Sequence, residues 1–232
     1  MRESKLAHLV ANCELLLLDF DGPVCSIFAT YRAASVASDL CSKLSESAGL
    51  LPSAVTEAKD PLEVLRWTAR NMPGLVPEIE NALRVAELVA VSGATPTPYS
   101  LEVMMAAKEA RLSTAIVSNN SAPAIESYII AHHLDEYISF VVGREPYHPD
   151  RMKPAPYAVE MAVKEFKIQP LNALLVGDST TDVIASHSAG VRVIALANKP
   201  GKREQFRAAG ADAVVTSMID VSFAITNRVR DI

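Results

Sequence analysis

Six short apolar runs punctuate the chain: LLLLDF at 15–20, STAIVSN at 113–119, ISFVVG at 138–143, ALLVGD at 173–178, VRVIAL at 191–196 and DAVVT at 212–216. They are continuous rather than alternating, which predicts strands buried on both faces, as in parallel sheets. Segments of helical period lie between most of them, for example at 124–133 and 156–166. Strands alternating with helices predict an α/β sheet wound by right-handed crossovers. Such sheets bind ligands beyond the carboxyl ends of their strands. Four of those ends are polar here: Asp19, Ser118-Asn119, Gly143-Arg144 and Gly177-Asp178.

The alternation breaks after the first run. From about 24 to 94 there is no strand-like run, only helical pattern, as in IFATYRAASVASDLCSKLSESA, PLEVLRWTARN and PEIENALRVAELVAV. Proline and glycine mark the ends of these segments (GLLPSA, MPGLVP, GATPTP), where turn chemistry puts them. Separable helices between two strands predict a compact lid rather than one long crossover. The expected organisation is an α/β, Rossmann-like parallel sheet core built from 1–23 and 97–232, with an inserted α-helical cap at 24–96.

Composition narrows the class. The chain has 232 residues, of which 50% are apolar and 21% charged, enough to bury a large core and too apolar for disorder. A net charge of −5 with no run of like charges argues against nucleic acid as a partner. The N-terminus, interrupted by Glu14, reads as neither signal peptide nor membrane span. Cys13, Cys25 and Cys41 are too few and too unevenly spaced for a disulfide framework. A cytoplasmic protein without membrane contact is expected, as a monomer or homodimer. The five histidines have no metal spacing with each other or with the cysteines, which disfavours zinc.

Candidate chemistry sits at the polar strand ends. Asp19 and Asp21 lie two apart after a buried run, where paired negative charge is costly without a cation; Asp-Gly is also an ordinary turn. VGDSTTD repeats the arrangement with Asp178 and, four residues on, Asp182. Two such oxygen ligands suit Mg²⁺, although Ser179-x-x-Asp182 is equally a helix capping box. Ser118 and the amides after it can form an anion pocket at a helix start, or a simple N-cap. Lys153 precedes a Pro-x-Pro stretch that holds its backbone extended and aims the ammonium; a lone lysine is otherwise a solubilising surface group.

Taken in order, strand–DxDG, strand–Ser, Lys-Pro and strand–GDSxxD form a series that resembles the haloacid dehalogenase-like hydrolases over essentially the whole chain. The helical insertion after the first motif is similar to the helical-cap subclass that includes phosphoglycolate phosphatase, and 190–215 resembles the closing portion of that group. The resemblance implies an Mg²⁺-dependent phosphatase acting on a small phosphorylated metabolite through an aspartyl-phosphate. It implies Asp19 as nucleophile and Asp21 as acid and base. Mg²⁺ would be held by Asp19, Asp178 and the Asp21 carbonyl, with Asp182 in support. Ser118 and the Asn119 amide would hold the phosphoryl group, and Lys153 would neutralise its charge. The chain departs from the family at Pro23, where threonine is usual, and at Ser26, where an acid is usual; the expected effect falls on the hinge.

Other chemistries fit less well. A dehalogenase has no need of Asp21, and a phosphonate hydrolase would replace it. A sugar-phosphate mutase would call for a histidine-lysine pair near the hinge, and 24–96 contains no histidine. Cys25 and Arg32 are separated by six residues, not the five of a cysteine phosphatase loop. A non-catalytic binding protein that kept the fold is the reading from another class. For the part of a substrate beyond its phosphate, Arg32, Lys59, Arg66 and Arg70 are the cationic candidates in the cap; each is otherwise a solvated helix-face group.

Overall fold

The computed structural model describes residues 2–230. Its strands are β1 (Leu15–Leu18), β2 (Cys25–Ser26), β3 (Thr95–Pro96), β4 (Ser113–Val117), β5 (Phe140–Val142), β6 (Ala173–Gly177), β7 (Arg192–Leu196) and β8 (Ala213–Val215). The helices are α1 (Arg2–Ala11), α2 (Ala33–Ala48), α3 (Ser53–Thr56), α4 (Pro61–Asn71), α5 (Val76–Val91), α6 (Ser100–Glu109), α7 (Ala122–Ala131), α8 (Tyr157–Phe166), α9 (Thr180–Ser188), α10 (Lys202–Ala208) and α11 (Met218–Arg230).

All six apolar runs become strands of one sheet, ordered β5-β4-β1-β6-β7-β8, with every neighbouring pair parallel. β1 is central, and its leucines show why a continuous apolar run was needed. Leu16 and Leu18 join the core under α1, α6, α7 and α11, whereas Leu15 and Leu17 join the core under α8, α9 and α10. All four are fully buried, each worth about 1.5–3 kcal/mol of burial. From β1 the chain builds outward to β4 and β5, then crosses to β6 on the other side. The carboxyl end of β1 therefore lies at a topological switch point, where a ligand crevice opens.

Helices α2 to α5 occupy the stretch between β2 and β3 and pack on a core of their own, including Val36, Leu40, Leu44, Leu65, Ile79 and Leu83. Met152, from the loop before α8, completes this cluster and ties it to the sheet side. The expectation of no strand in 24–94 needs one correction. Cys25–Ser26 pairs antiparallel with Thr95–Pro96, so a two-residue ribbon closes the base of the insert. A pairing this short leaves no periodicity to detect. Pro23 is buried in the turn before it, where Val24 and Cys25 both donate to the Phe20 carbonyl. The turn makes no use of an N–H at position 23, so proline is accommodated there.

Candidate active site

Asp19 and Asp21 leave the end of β1 in a tight loop. The Asp19 Oδ1 accepts the N–H of Phe20 at 2.8 Å, and the Asp21 Oδ1 accepts that of Ile27 at 3.0 Å. Gly22, at φ +116°, passes so close to Asp178 that a Cβ would fall 2.3 Å from its Cγ. Only glycine brings the β1 and β6 loops together in this way. The Thr97 hydroxyl donates to the Gly22 carbonyl at 2.5 Å, fastening the return linker to the same loop.

Lys153 is the hub. Although a lone lysine is ordinarily a surface group, it is buried, 2% exposed, and precedes a cis Lys153–Pro154 peptide. Its Nζ lies 2.8 Å from Asp19 Oδ1, 2.5 Å from Asp182 Oδ1 and 3.1 Å from the Val117 carbonyl. Burial works against the ammonium, but Asp182 and Asp19 outweigh it and push its pKa up. Asp19 is pushed up by burial and by the Asp182 charge, against the pull of Lys153. Asp21 is raised to about 6, chiefly by burial. A half-buried acid with a pKa near neutrality is suited to hold a proton and release it.

Asp182 is both of the things its position suggested. It closes a capping box with Ser179, and its Oδ2 also accepts the Asp178 N–H at 3.0 Å. With Oδ1 on Lys153, both oxygens are engaged by the protein. Single oxygens of Asp19, Asp178 and Asp182 lie within 4.8 Å of one another. An all-carboxylate set of this size, with Asp19 disfavoured as an anion in its absence, fits a hard dication such as Mg²⁺.

Ser118 ends β4, and its Oγ accepts the Asn120 N–H at 3.2 Å and donates to the Asn120 Oδ1 at 3.1 Å. The Asn119 side chain clamps the Lys153 main chain: Oδ1 accepts its N–H at 2.7 Å and Nδ2 donates to its carbonyl at 3.1 Å. These sites surround a cavity of about 380 Å³ lined by Asp19, Asp21, Ser118, Asn119, Lys153 and Asp178. From the helical insert Phe28, Ala33, Lys59, Asp60, Leu62 and Arg66 complete it. Arg66 also donates to the Lys153 carbonyl at 2.9 Å. Arg32 is exposed at the start of α2, outside this lining, and Arg70 faces a separate cavity beside Tyr147. Cys25 is buried, and burial with Asp21 and Asp19 pushes its thiol up, away from a reactive thiolate.

Two constellations go beyond the sequence reading, which marked Arg144 only as a polar strand end. Arg144, buried after β5, reaches Glu80 at 2.9 Å and Glu87 at 2.8 Å on α5, and donates to the Asn119 carbonyl at 2.7 Å. Glu87 in turn accepts from Asn120 Nδ2 and from the Ser121 N–H. In sequence these glutamates lie on a helix that reads as amphipathic, with no local sign of a distant arginine. Asn198, from the loop between β7 and α10, and Lys202, the first residue of α10, both bond Asp178; only the GK pair after a proline marks that turn.

The family description matching residues 63–196 is that of a haloacid dehalogenase-like hydrolase. The chain belongs to this family. The matched stretch holds Ser118, Lys153, Asp178 and Asp182 and begins after the Asp19 loop. Among curated relatives, the phosphoglycolate phosphatase of Vibrio vulnificus strain YJ016 is 28% identical over 121 residues, 52% of each chain. The bifunctional riboflavin kinase/FMN phosphatase of Arabidopsis thaliana is 33% identical over 108 residues, 46% of this chain and 27% of that one. The chain spans about half or less of the length of these relatives. Among solved structures, CbbY from Rhodobacter sphaeroides in complex with phosphate has a TM-score of 0.65 at 19% identity, covering 88% of this chain and 94% of its own. A hydrolase of the same family from Deinococcus radiodurans R1, with bound phosphate and sodium, has a TM-score of 0.62 at 21% identity, covering 94% and 97%. Both share the α/β fold with its parallel sheet. Among the described residues no helix is long and apolar enough to cross a membrane.

Proposed function

We propose that the protein is an Mg²⁺-dependent phosphatase of small phosphorylated metabolites, working through an aspartyl-phosphate, with 24–96 as a helical cap over the site. The observation that carries this reading is the placement of Asp19. It is a buried carboxylate at the centre of the sheet, 2.8 Å from Lys153 Nζ and beside Asp178 and Asp182.

The chemistry follows from the residues. A carboxylate oxygen of Asp19 attacks phosphorus, and the bond from phosphorus to the substrate's ester oxygen breaks. Asp21 gives its proton to that leaving oxygen. Water then attacks the phosphorus of the aspartyl-phosphate, Asp21 takes the proton from the water, and Asp19 is restored as inorganic phosphate leaves. The Ser118 hydroxyl and the Asn119 amide hold phosphoryl oxygens, while Lys153 offsets their charge in a setting prepared before substrate arrives. Mg²⁺, held by Asp19, Asp178 and the Asp21 carbonyl, would supply charge stabilisation to the transferring phosphoryl group. Asp182 acts by fixing Lys153 and the Asp178 main chain. Beyond the phosphate, Lys59 and Arg66 are the cap cations in reach of a substrate.

The decisive experiment is phosphate release from a panel of phosphorylated metabolites, phosphoglycolate among them, with and without Mg²⁺. Mg²⁺-dependent turnover that falls at least about a thousandfold in Asp19→Asn is expected. Mg²⁺ binding without turnover of any phosphate ester would leave a binding protein. A flat profile across the panel would make it a generalist.

A further inference from the structure

Lys153 accounts for one side of the acidic cluster. A second ammonium closes the other. Gly201, at φ +81°, turns the chain into α10, and the first residue of that helix, Lys202, points back toward the end of β6. Its Nζ lies 2.7 Å from Asp178 Oδ2, 2.6 Å from the Asp178 carbonyl and 3.0 Å from Asn198 Oδ1. Asn198 Nδ2 also donates to Asp178 Oδ2, at 3.0 Å. Both side-chain donors take the same oxygen, and among the described residues none reaches Oδ1, which remains for a metal. The ion pair is largely withdrawn from solvent, with side-chain exposures of 20% and 16%.

From this arrangement we infer that Lys202 is a positioning residue with a resident charge, trading metal affinity for phosphate affinity at Asp178. The inference rests on the phosphatase reading for its phosphate arm. Every carboxylate around the cavity favours a dication and repels a phosphate dianion. An ammonium fixed on one of those carboxylates does the reverse to both, since its charge acts over the few ångströms that separate metal and phosphoryl sites. Lys202 also holds Asp178 in one orientation, so the charge and the geometry have separable consequences. Losing the charge moves the two affinities in opposite directions, whereas losing only the orientation weakens both.

The test uses the full chain and two titrations by calorimetry: Mg²⁺ in phosphate-free buffer, then inorganic phosphate at saturating Mg²⁺. Lys202→Gln, which keeps a donor and loses the charge, is expected to bind Mg²⁺ roughly five- to tenfold more tightly and phosphate weaker by a similar factor. Lys202→Arg is expected to stay within about twofold of the wild type on both. Lys202→Met repeats the loss of charge with another shape, so poor folding of one variant does not decide the result. If both ligands weaken in Lys202→Gln and Lys202→Met, Lys202 is only a prop for Asp178 and the inference falls. It falls equally if neither affinity moves. Should the wild type neither bind phosphate nor hydrolyse any ester, the phosphatase reading fails, and the Mg²⁺ titration still reports on Lys202.

Discussion

At the scale of single residues, the loop after β1 tolerates very little. Gly22 sits at φ +116° with the Asp178 carboxylate where its Cβ would be. Gly22→Ala is therefore expected to lower stability by about 1–3 kcal/mol and to weaken Mg²⁺ binding, both readable from chemical denaturation and calorimetry. Asp21 is buried enough to hold a proton to about pH 6. Asp21→Asn should keep the fold and lose about 10²- to 10⁴-fold in kcat, which steady-state kinetics measures. Asn119 illustrates what pattern reading misses. Its backbone amide was expected at the phosphate, but its side chain is spent on the Lys153 main chain, 34 positions away in sequence. No local spacing encodes a clamp that exists only after β4 and the Lys153 loop have met. Lys202 was invisible for the same reason. Asp19, Ser118 and Asp178, by contrast, stand at strand ends that the apolar runs mark, and Lys153 is singled out only by its place in the ordered series of motifs, which brings all four to one cavity.

At the scale of elements, the strands were the easy part. Parallel central strands must be apolar on both faces, and runs such as Leu15–Leu18 leave no other use for themselves. The ribbon of Cys25–Ser26 and Thr95–Pro96 was not readable, because two residues carry no period. Nor was the bond between α5 and the loop after β4. Arg144, with Glu80 and Glu87, is a buried ionic cluster in which every charge has its partner in place. Removing the arginine alone strands two buried carboxylates. Arg144→Met should cost about 3–5 kcal/mol in urea unfolding, and replacing all three by apolar residues of similar size should recover most of it. A loss under about 1 kcal/mol in the single variant would mean that water reaches the glutamates.

At the scale of the whole molecule, the acidic cluster makes stability depend on pH and metal together. Unfolded aspartates ionise near pH 4, whereas folded Asp21 holds its proton to about pH 6 and Asp19 is also raised. Across that interval the folded chain binds more protons than the unfolded one, so its stability falls as pH rises. The metal-free protein should melt at a lower temperature at pH 7.5 than at pH 5.5. Mg²⁺ should raise the melting temperature more at pH 7.5, where the carboxylates it needs are ionised. Calorimetric scans at both pH values, with Mg²⁺ and with a chelator, give the comparison.

The Arg144 cluster also divides the helical insert in a way the chain order does not. Proteins open in cooperative units whose boundaries follow buried contacts rather than sequence segments. Helix α5 is pinned by two buried carboxylates to the loops of the sheet, while α2, α3 and α4 rest mainly on α5 and on one another, touching the sheet side through Met152 and the single Arg66 bond to the Lys153 carbonyl. In hydrogen exchange the amides of α5 should open with the sheet, and those of α4, which carries Arg66 over the cavity, should open earlier. The part of the insert expected to open as one unit is then about 27–72, with α5 left behind as its floor.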